Sequence, residues 1–239
     1  METSKQGLVV SAHSADFVWR AGGAIALYAK RGWTMTVVCL SFGERGESAK
    51  LWKQPGMTMA RVKEDRRREA ERAAEILGAN IRFMDMGDYP LRVSDEALFQ
   101  LADIYRELRP EFVLTHSQRD PYNFDHPLAT HVAQEARVIA QAHGHEPDTP
   151  VLGAPPVFLF EPHQPEQCEW KPQVLLDISE VWEQKRQAFE LMAAQEHLWE
   201  YYTRVALQRG AQASRNSDRK IRYAEAYQRV FPQVTEELA

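Results

Sequence analysis

At 239 residues, 44% hydrophobic and 26% charged, the chain has the balance of a soluble globular protein and enough apolar material to bury about three-quarters of its unfolded surface. Its 29 basic against 34 acidic residues, a net charge of −5, give no support to nucleic-acid binding and leave room for a small anionic substrate or a partner protein. No apolar run reaches the roughly 18 residues of a membrane helix, and "METSKQG" leads straight into a strand without an apolar leader, so the expected location is the cytoplasm.

The run "GLVVSA" (7–12) predicts a short buried strand, and "WRAGGAIALYAKRG" (19–32) a helix that closes at Gly32. "TMTVVCLSF" (34–42) predicts the second strand, within which Cys39 is a buried thiol rather than half of a bridge to the distant Cys168. Residues 59–78 give the clearest helix, "IRFMDM" the third strand, 95–108 a helix and "EFVLTH" (111–116) the fourth strand. "NFDHPLATHVAQEARVIAQAH" predicts another helix, with Pro127 in its first turn. The proline- and glycine-bearing stretch 143–156, which includes Pro147, reads as a loop. Residues 155–163 and 174–179 predict two more strands, 180–203 one long helix, and 217–239 a helical tail.

Strands alternating with helices of this length predict an α/β fold, a Rossmann-like and mostly parallel sheet with helices on both faces. We expect one domain over 1–239 with a helical C-terminal portion from about 180. Ligands of such sheets bind beyond the carboxyl ends of the strands, which singles out 13–17, 43–50, 87–92 and 117–126.

His13 and Asp16 follow the first strand, and His126 lies in the segment beyond the fourth. Two imidazoles and a carboxylate suit Zn²⁺ and leave a coordination position open. Asp16 also reads as the cap of the first helix, so the joint arrangement carries the metal expectation. Between the two residues stand Ser14 and Ala15, neither of which can move a proton.

"VVSAHSADFVWRAGG" resembles the signature of the PIG-L (LmbE-like) de-N-acetylase superfamily, Ala-His-Pro-Asp-Asp-Glu followed by two glycines. "RRREAERAAEILGA" is similar to its Arg-x-x-Glu helix through Arg66, Glu69, Ala73, Leu77 and Gly78, and "THSQRDPYNFDH" to its Thr-His…His-x-Asp-His segment. The resemblance covers roughly residues 7–135 and implies that His13, Asp16 and His126 are zinc ligands. It also exposes departures. The deacetylases' general base falls at Ala15, their oxyanion-steadying histidine at Asn123, and their motif glutamate at Phe17. A methyl group takes no proton from water, and losing such a base forfeits about 10²–10⁴-fold in rate, so deacetylation is not expected.

Two stretches could supply a new base. "SFGERGESAKLW" (41–52) carries Glu44 and Glu47 among glycines beyond the second strand, and His163 follows the "VFLF" strand. With "AHSADFVWRAGGAIAL", the stretches "CLSFGERGESAKLWK" and "FEPHQPEQCEWKP" resemble a hydratase branch of the superfamily that serves aromatic-ring catabolism. That resemblance implies zinc-dependent addition of water to a conjugated tricarboxylate, Glu47 and His163 as acid and base, and a homo-oligomer, plausibly a hexamer. Three substrate carboxylates call for cations, and Arg20, Arg45 and Arg119 are the candidates, with Arg222 in the tail as a further one. Asn123 could donate to a substrate oxygen, and His116 is expected to support the site from behind the ligands.

The charged run "KEDRRREAERAAE" reads as a salt-bridged exposed helix face. His143 and His145 read as a solvent loop, and "HLWEYYTRVALQRG" as core packing or a subunit contact. Two other functions fit the same residues: a hydrolase in which Glu47 or Asp120 replaces the lost base, and a non-catalytic metal-binding scaffold.

Overall fold

The structure is a computed structural model that describes residues 4–146 and 148–236; Pro147 and the last three residues of the expected helical tail lie outside them. Five parallel strands form its spine: β1 (Gln6–Ser11), β2 (Thr34–Cys39), β3 (Ala79–Phe83), β4 (Phe112–Thr115) and β5 (Val157–Phe160). Two antiparallel strands, β6 (Val174–Asp177) and β7 (Ala224–Arg229), complete a seven-stranded sheet in the order β3-β2-β1-β4-β5-β7-β6. The strands succeed one another in one direction from β1 and in the other from β4. The switch point therefore lies between β1 and β4, paired in parallel with Leu8 opposite Val113.

Both faces of the central strands are covered, so they read as continuous apolar runs. Val9, Val37 and Leu114 face the layer of α1 (Asp16–Lys30), α3 (Met59–Leu77) and α6 (Trp182–Glu190). Leu8, Val10, Val38 and Val113 face α4 (Asp95–Leu108) and α5 (Asp125–Gln141). The short α2 (Ala49–Trp52) follows β2, and α7 (Leu198–Arg215) packs on β6 and β7. Among the described residues no helix is long and apolar enough to cross a membrane.

The C-terminal third departs from the sequence expectation in two places. The helix expected over 180–203 is interrupted: α6 ends at Glu190, a single 3-10 turn spans Ala193–Gln195, and α7 starts at Leu198. The tail expected to be helical holds β7, which enters the sheet between β5 and β6. Its sequence "AEAYQR" has little apolar character because its one buried carboxylate, Glu225, is fully engaged. Glu225 accepts from the backbone N–H of Gly23 (2.7 Å) and Ala24 (2.8 Å), from Lys185 Nζ (2.7 Å) and from the Tyr227 hydroxyl (2.7 Å). The approach of α1 to this strand explains the glycine at 23, where a Cβ would lie 2.7 Å from Ile178 and 2.8 Å from Glu225 Oε1.

Candidate active site and metal centre

The switch point fills with polar side chains from five loops. β1 ends at Ser11 and delivers His13; α1 then begins at Asp16, with Ala15 in the cap position and no side-chain cap. Asp16 is therefore a first-turn residue, not the cap that its position suggested. Its Oδ2 turns back to accept from the His13 backbone N–H (3.0 Å) and lies 3.1 Å from His13 Nδ1. β4 leads into His116 and the loop that delivers His126 on the first turn of α5. Phe42, Gly43 and Glu47 arrive from the loop after β2.

His13, Asp16, Glu47 and His126 each offer one ligand atom, and these atoms all lie within 4.8 Å of one another. His13 Nδ1 stands 3.3 Å from Glu47 Oε1, and His126 Nε2 stands 3.5 Å from Asp16 Oδ1. Donor atoms on a tetrahedron with bonds of about 2.0–2.2 Å would be separated by about 3.3–3.6 Å. The other ring nitrogens are engaged away from this centre. His126 Nδ1 meets Asp120 Oδ2 at 2.8 Å, while its Nε2 is buried without a hydrogen-bond partner. His13 Nε2 faces Asp88 Oδ1 (3.2 Å) and Asp125 Oδ2 (3.4 Å), so Nδ1 is the nitrogen left to the cluster. Carboxylates fix the far nitrogens while His126 Nε2, unpaired, and His13 Nδ1, beside the Asp16 and Glu47 carboxylates, converge, which is the arrangement a metal cation asks of its histidines. The residues fit a divalent metal.

Electrostatics agree. Burial works against a charged His13, yet Glu47 and the hydrogen bonds that the imidazole donates to Asp125, Asp16 and Asp88 outweigh it and hold the imidazole well above its ordinary range. Burial likewise opposes the Asp16 charge, but His126, with the hydrogen bond to His13, draws its carboxyl well below the usual range. Without a cation the cluster favours a proton on His13; a metal would take its place.

His116 lies behind the cluster, against His126. Its Nε2 accepts the Ala12 backbone N–H at 2.9 Å and its ring stacks on His126 with centroids 4.2 Å apart. Burial first, and then the neighbouring His126, keep it well below the ordinary histidine range and neutral.

Arg20, one turn along α1 from Asp16, extends the site toward β5. Its Nε lies 3.4 Å from Asp16 Oδ1, one terminal nitrogen donates to the Glu161 carbonyl (3.0 Å), and the other to His163 Nδ1 (3.3 Å). With Nδ1 accepting, His163 carries its proton on Nε2, which meets the Tyr202 hydroxyl at 3.0 Å. Packing around the imidazole, and then the Arg20 charge, hold His163 below its ordinary range; the residue is exposed, so solvent moderates the shift.

Of the residues singled out in the sequence, the fold therefore brings together His13, Asp16, His126, Glu47, Arg20 and His163. Asn123 is buried beside them, its Oδ1 accepting from the Asp125 N–H at 3.0 Å. Glu44 turns away and accepts from its own loop at Phe42 N (3.2 Å). Asp120 sits behind the His126 ring, with Oδ2 on its Nδ1. The side chains of Arg45 and Arg119 stand off the cluster: Arg45 is exposed in a groove with Met84, Asp85 and Arg92, and Arg119 pairs with Glu169 on the surface. Arg222 is exposed and lies over the Tyr223 ring.

Asp88, Tyr89 and Asp125 lie in the segments 87–92 and 117–126 that the sequence singles out, but no role is expected of them individually. Asp88 accepts the backbone N–H groups of Arg45 and Gly46 on one oxygen and faces His13 with the other. Asp125 accepts from Tyr89 N and Leu91 N, 3.0 Å each. The Tyr89 ring stacks on His13 at 5.8 Å and covers Gly46, where a Cβ would lie 2.1 Å from a ring carbon. Gly46→Ala is accordingly expected to displace Tyr89 and the Glu47 loop and to lower kcat about 10–100-fold. Steady-state kinetics beside a thermal melt will check this; an unchanged kcat would show that the ring contact is idle.

A Rossmann-like α/β sheet that gathers two histidines and two carboxylates at its switch point defines a protein with a candidate metal centre of catalytic type. Residues 8–137 match the PIG-L family, GlcNAc-PI de-N-acetylase, and the chain belongs to that family. The 4-oxalmesaconate hydratase of Pseudomonas putida is 66% identical, covering 98% of this chain and 93% of its own. The crystal structure of GalB, the 4-carboxy-2-hydroxymuconate hydratase of P. putida, matches with a TM-score of 0.97 at 66% identity, over 98% of this chain and 100% of that one. The N,N'-diacetylchitobiose deacetylase of Pyrococcus horikoshii shares the fold at 22% identity, with a TM-score of 0.79 over 96% of this chain and 85% of its own.

Proposed function

We propose that this chain adds water across a carbon–carbon double bond of 4-carboxy-2-hydroxymuconate, or its tautomer 4-oxalomesaconate, to give 4-carboxy-4-hydroxy-2-oxoadipate. The observation that carries this reading is an exchange of proton-transfer groups within one pocket. Position 15 is a buried methyl where the deacetylases hold their base, and Glu47 brings a carboxylate to 3.3 Å from His13. The hydratase names of the P. putida proteins, at 66% identity over nearly the whole chain, support it.

In this reading His13, Asp16 and His126 hold zinc, which when bound supplies a Lewis acid for the developing enolate. Glu47 and His163 divide the two proton transfers, one activating water and the other delivering a proton to carbon. Glu47 is equipped for this by Oε2, which is buried without a hydrogen-bond partner and can take or hold a proton. His163 stands at the exposed end of the Arg20 bridge, where substrate arrives. Arg20 is the first choice for a substrate carboxylate. The amide nitrogen of Asn123 is the end it can present to a substrate oxygen, since its Oδ1 is occupied. The same reading, by resemblance, takes the assembly to be a homo-oligomer, a hexamer, working in the cytoplasm.

Absorbance of the conjugated tricarboxylate provides the test. Metal-loaded protein is expected to bleach the band, chelation to stop the bleaching, and added zinc to restore it. Acetate release from N-acetylated sugars, with no bleaching, would instead establish the parent hydrolytic activity.

A further inference from the structure

Glu47 sits on a glycine-flanked loop, and a glutamate on a loop has three side-chain torsions to fix before its carboxylate can act. Oε1 is held toward His13; what faces Oε2 is Arg66 of α3, its NH2 group 3.9 Å away. Arg66 is fully buried, and each of its nitrogens is occupied from another direction. Nε donates to the Phe42 carbonyl (3.3 Å), NH1 to Glu69, and NH2 to Gln195 Oε1 (3.3 Å). Gln195 is itself buried and also accepts from Trp19 Nε1 at 3.4 Å. It belongs to the 3-10 turn between α6 and α7, outside residues 8–137 of the family match. The same turn grips the Glu47 loop from outside: Lys50 Nζ donates to the Ala193 carbonyl (3.3 Å) and pairs with Glu196 (3.0 Å).

We propose that Arg66 is a positioning residue for Glu47 and that Gln195, in the turn joining α6 to α7, sets the angle of its guanidinium. This inference rests on the acid–base role given to Glu47 above. At 3.9 Å Arg66 makes no hydrogen bond to Oε2, so it leaves that oxygen open to a proton while its fixed charge keeps the carboxylate plane from rotating. Arg66 is immobile because three separate acceptors hold it, one of them supplied by the C-terminal part of the chain. The break in the expected 180–203 helix thus has a use: it turns the chain so that Gln195 reaches Arg66.

The test compares Arg66→Met, Arg66→Lys and Gln195→Met for kcat, KM, metal content and thermal midpoint. Arg66→Met is expected to lose about 10–100-fold in kcat with KM within about threefold, Arg66→Lys to recover most of that loss, and Gln195→Met to lose about 3–10-fold at full metal content. Combined with Glu47→Gln, Arg66→Met should cost nothing further, because the group it positions is gone. A folded, metal-loaded Arg66→Met with kcat within about twofold of the parent overturns the inference, and should that variant not fold, the same result for Gln195→Met does so. If Glu47→Gln is inactive while both positioning variants keep their activity, the inference alone falls. If Glu47→Gln keeps its activity, the role of Glu47 falls and takes the inference with it.

Discussion

Glu47→Gln is expected to lower kcat about 10²–10⁴-fold while leaving zinc content and fold intact. The substitution keeps the shape of the side chain and removes only its ability to accept or carry a proton. The three residues proposed as zinc ligands are untouched, and each keeps an orienting contact that does not involve Glu47: His126 with Asp120, His13 with Asp88 and Asp125, and Asp16 with the His13 N–H. His163 has its own proton to move, and the described residues nearest to the lost base do not replace Glu47. Ala15 is a methyl, Glu44 is turned into its own loop, and Asp120 is committed behind His126. Rates on the conjugated tricarboxylate, with metal analysis of the same sample, check the expectation. A Glu47→Gln variant with parental turnover would remove Glu47 from the chemistry. One that loses both metal and turnover would make it a ligand, which its place within 4.8 Å of the other donors permits.

The largest effect on stability is expected from Glu225→Ala. Glu225 and Lys185 are 5% and 2% exposed, and their ion pair is 2.7 Å long. Truncating the carboxylate leaves a buried ammonium without its partner and strands the N–H groups of Gly23 and Ala24, at a cost of about 3–5 kcal/mol. Against a total stability of about 5–15 kcal/mol, that moves the protein close to unfolding at moderate temperature. Pairing the change with Lys185→Met removes the stranded charge and is expected to return about 1–3 kcal/mol. Urea unfolding of the two variants measures both numbers. A loss below about 1 kcal/mol for Glu225→Ala would mean that water reaches the pair and the network is not buried in effect.

Much of the fold was legible because the parallel strands are buried on both faces: "LVV" and "TVVC" can be little else than interior strands, and the glycines that close the first and third helices stand where the chain turns. β7 was illegible for the opposite reason. Its buried residues are two alanines, a glutamate and a tyrosine, and nothing in "AEAYQR" reveals that four donors from α1, α6 and Tyr227 await that carboxylate. The metal trio could be read from histidines and an aspartate at strand ends. Asp88 could not, since one aspartate in a turn looks like any other until its oxygens are seen on His13 and on the Glu47 loop. The arginines show the limit most clearly. Arg20, Arg45 and Arg119 all follow strands, but only Arg20 is carried inward, by the first turns of α1; loops leave the other two in solvent.

The late position of β7 has a consequence for biosynthesis. Among the described residues β6 pairs with β7 alone, so when residue 177 emerges from the ribosome it has no neighbour, and β5 offers an open flank. Lys185 emerges some forty residues before the carboxylate that neutralises it. For that interval the nascent polypeptide presents unpaired edges and an unmatched interior charge, the condition in which chains associate wrongly or recruit chaperones. A message truncated before residue 224 would release a product fixed in that state.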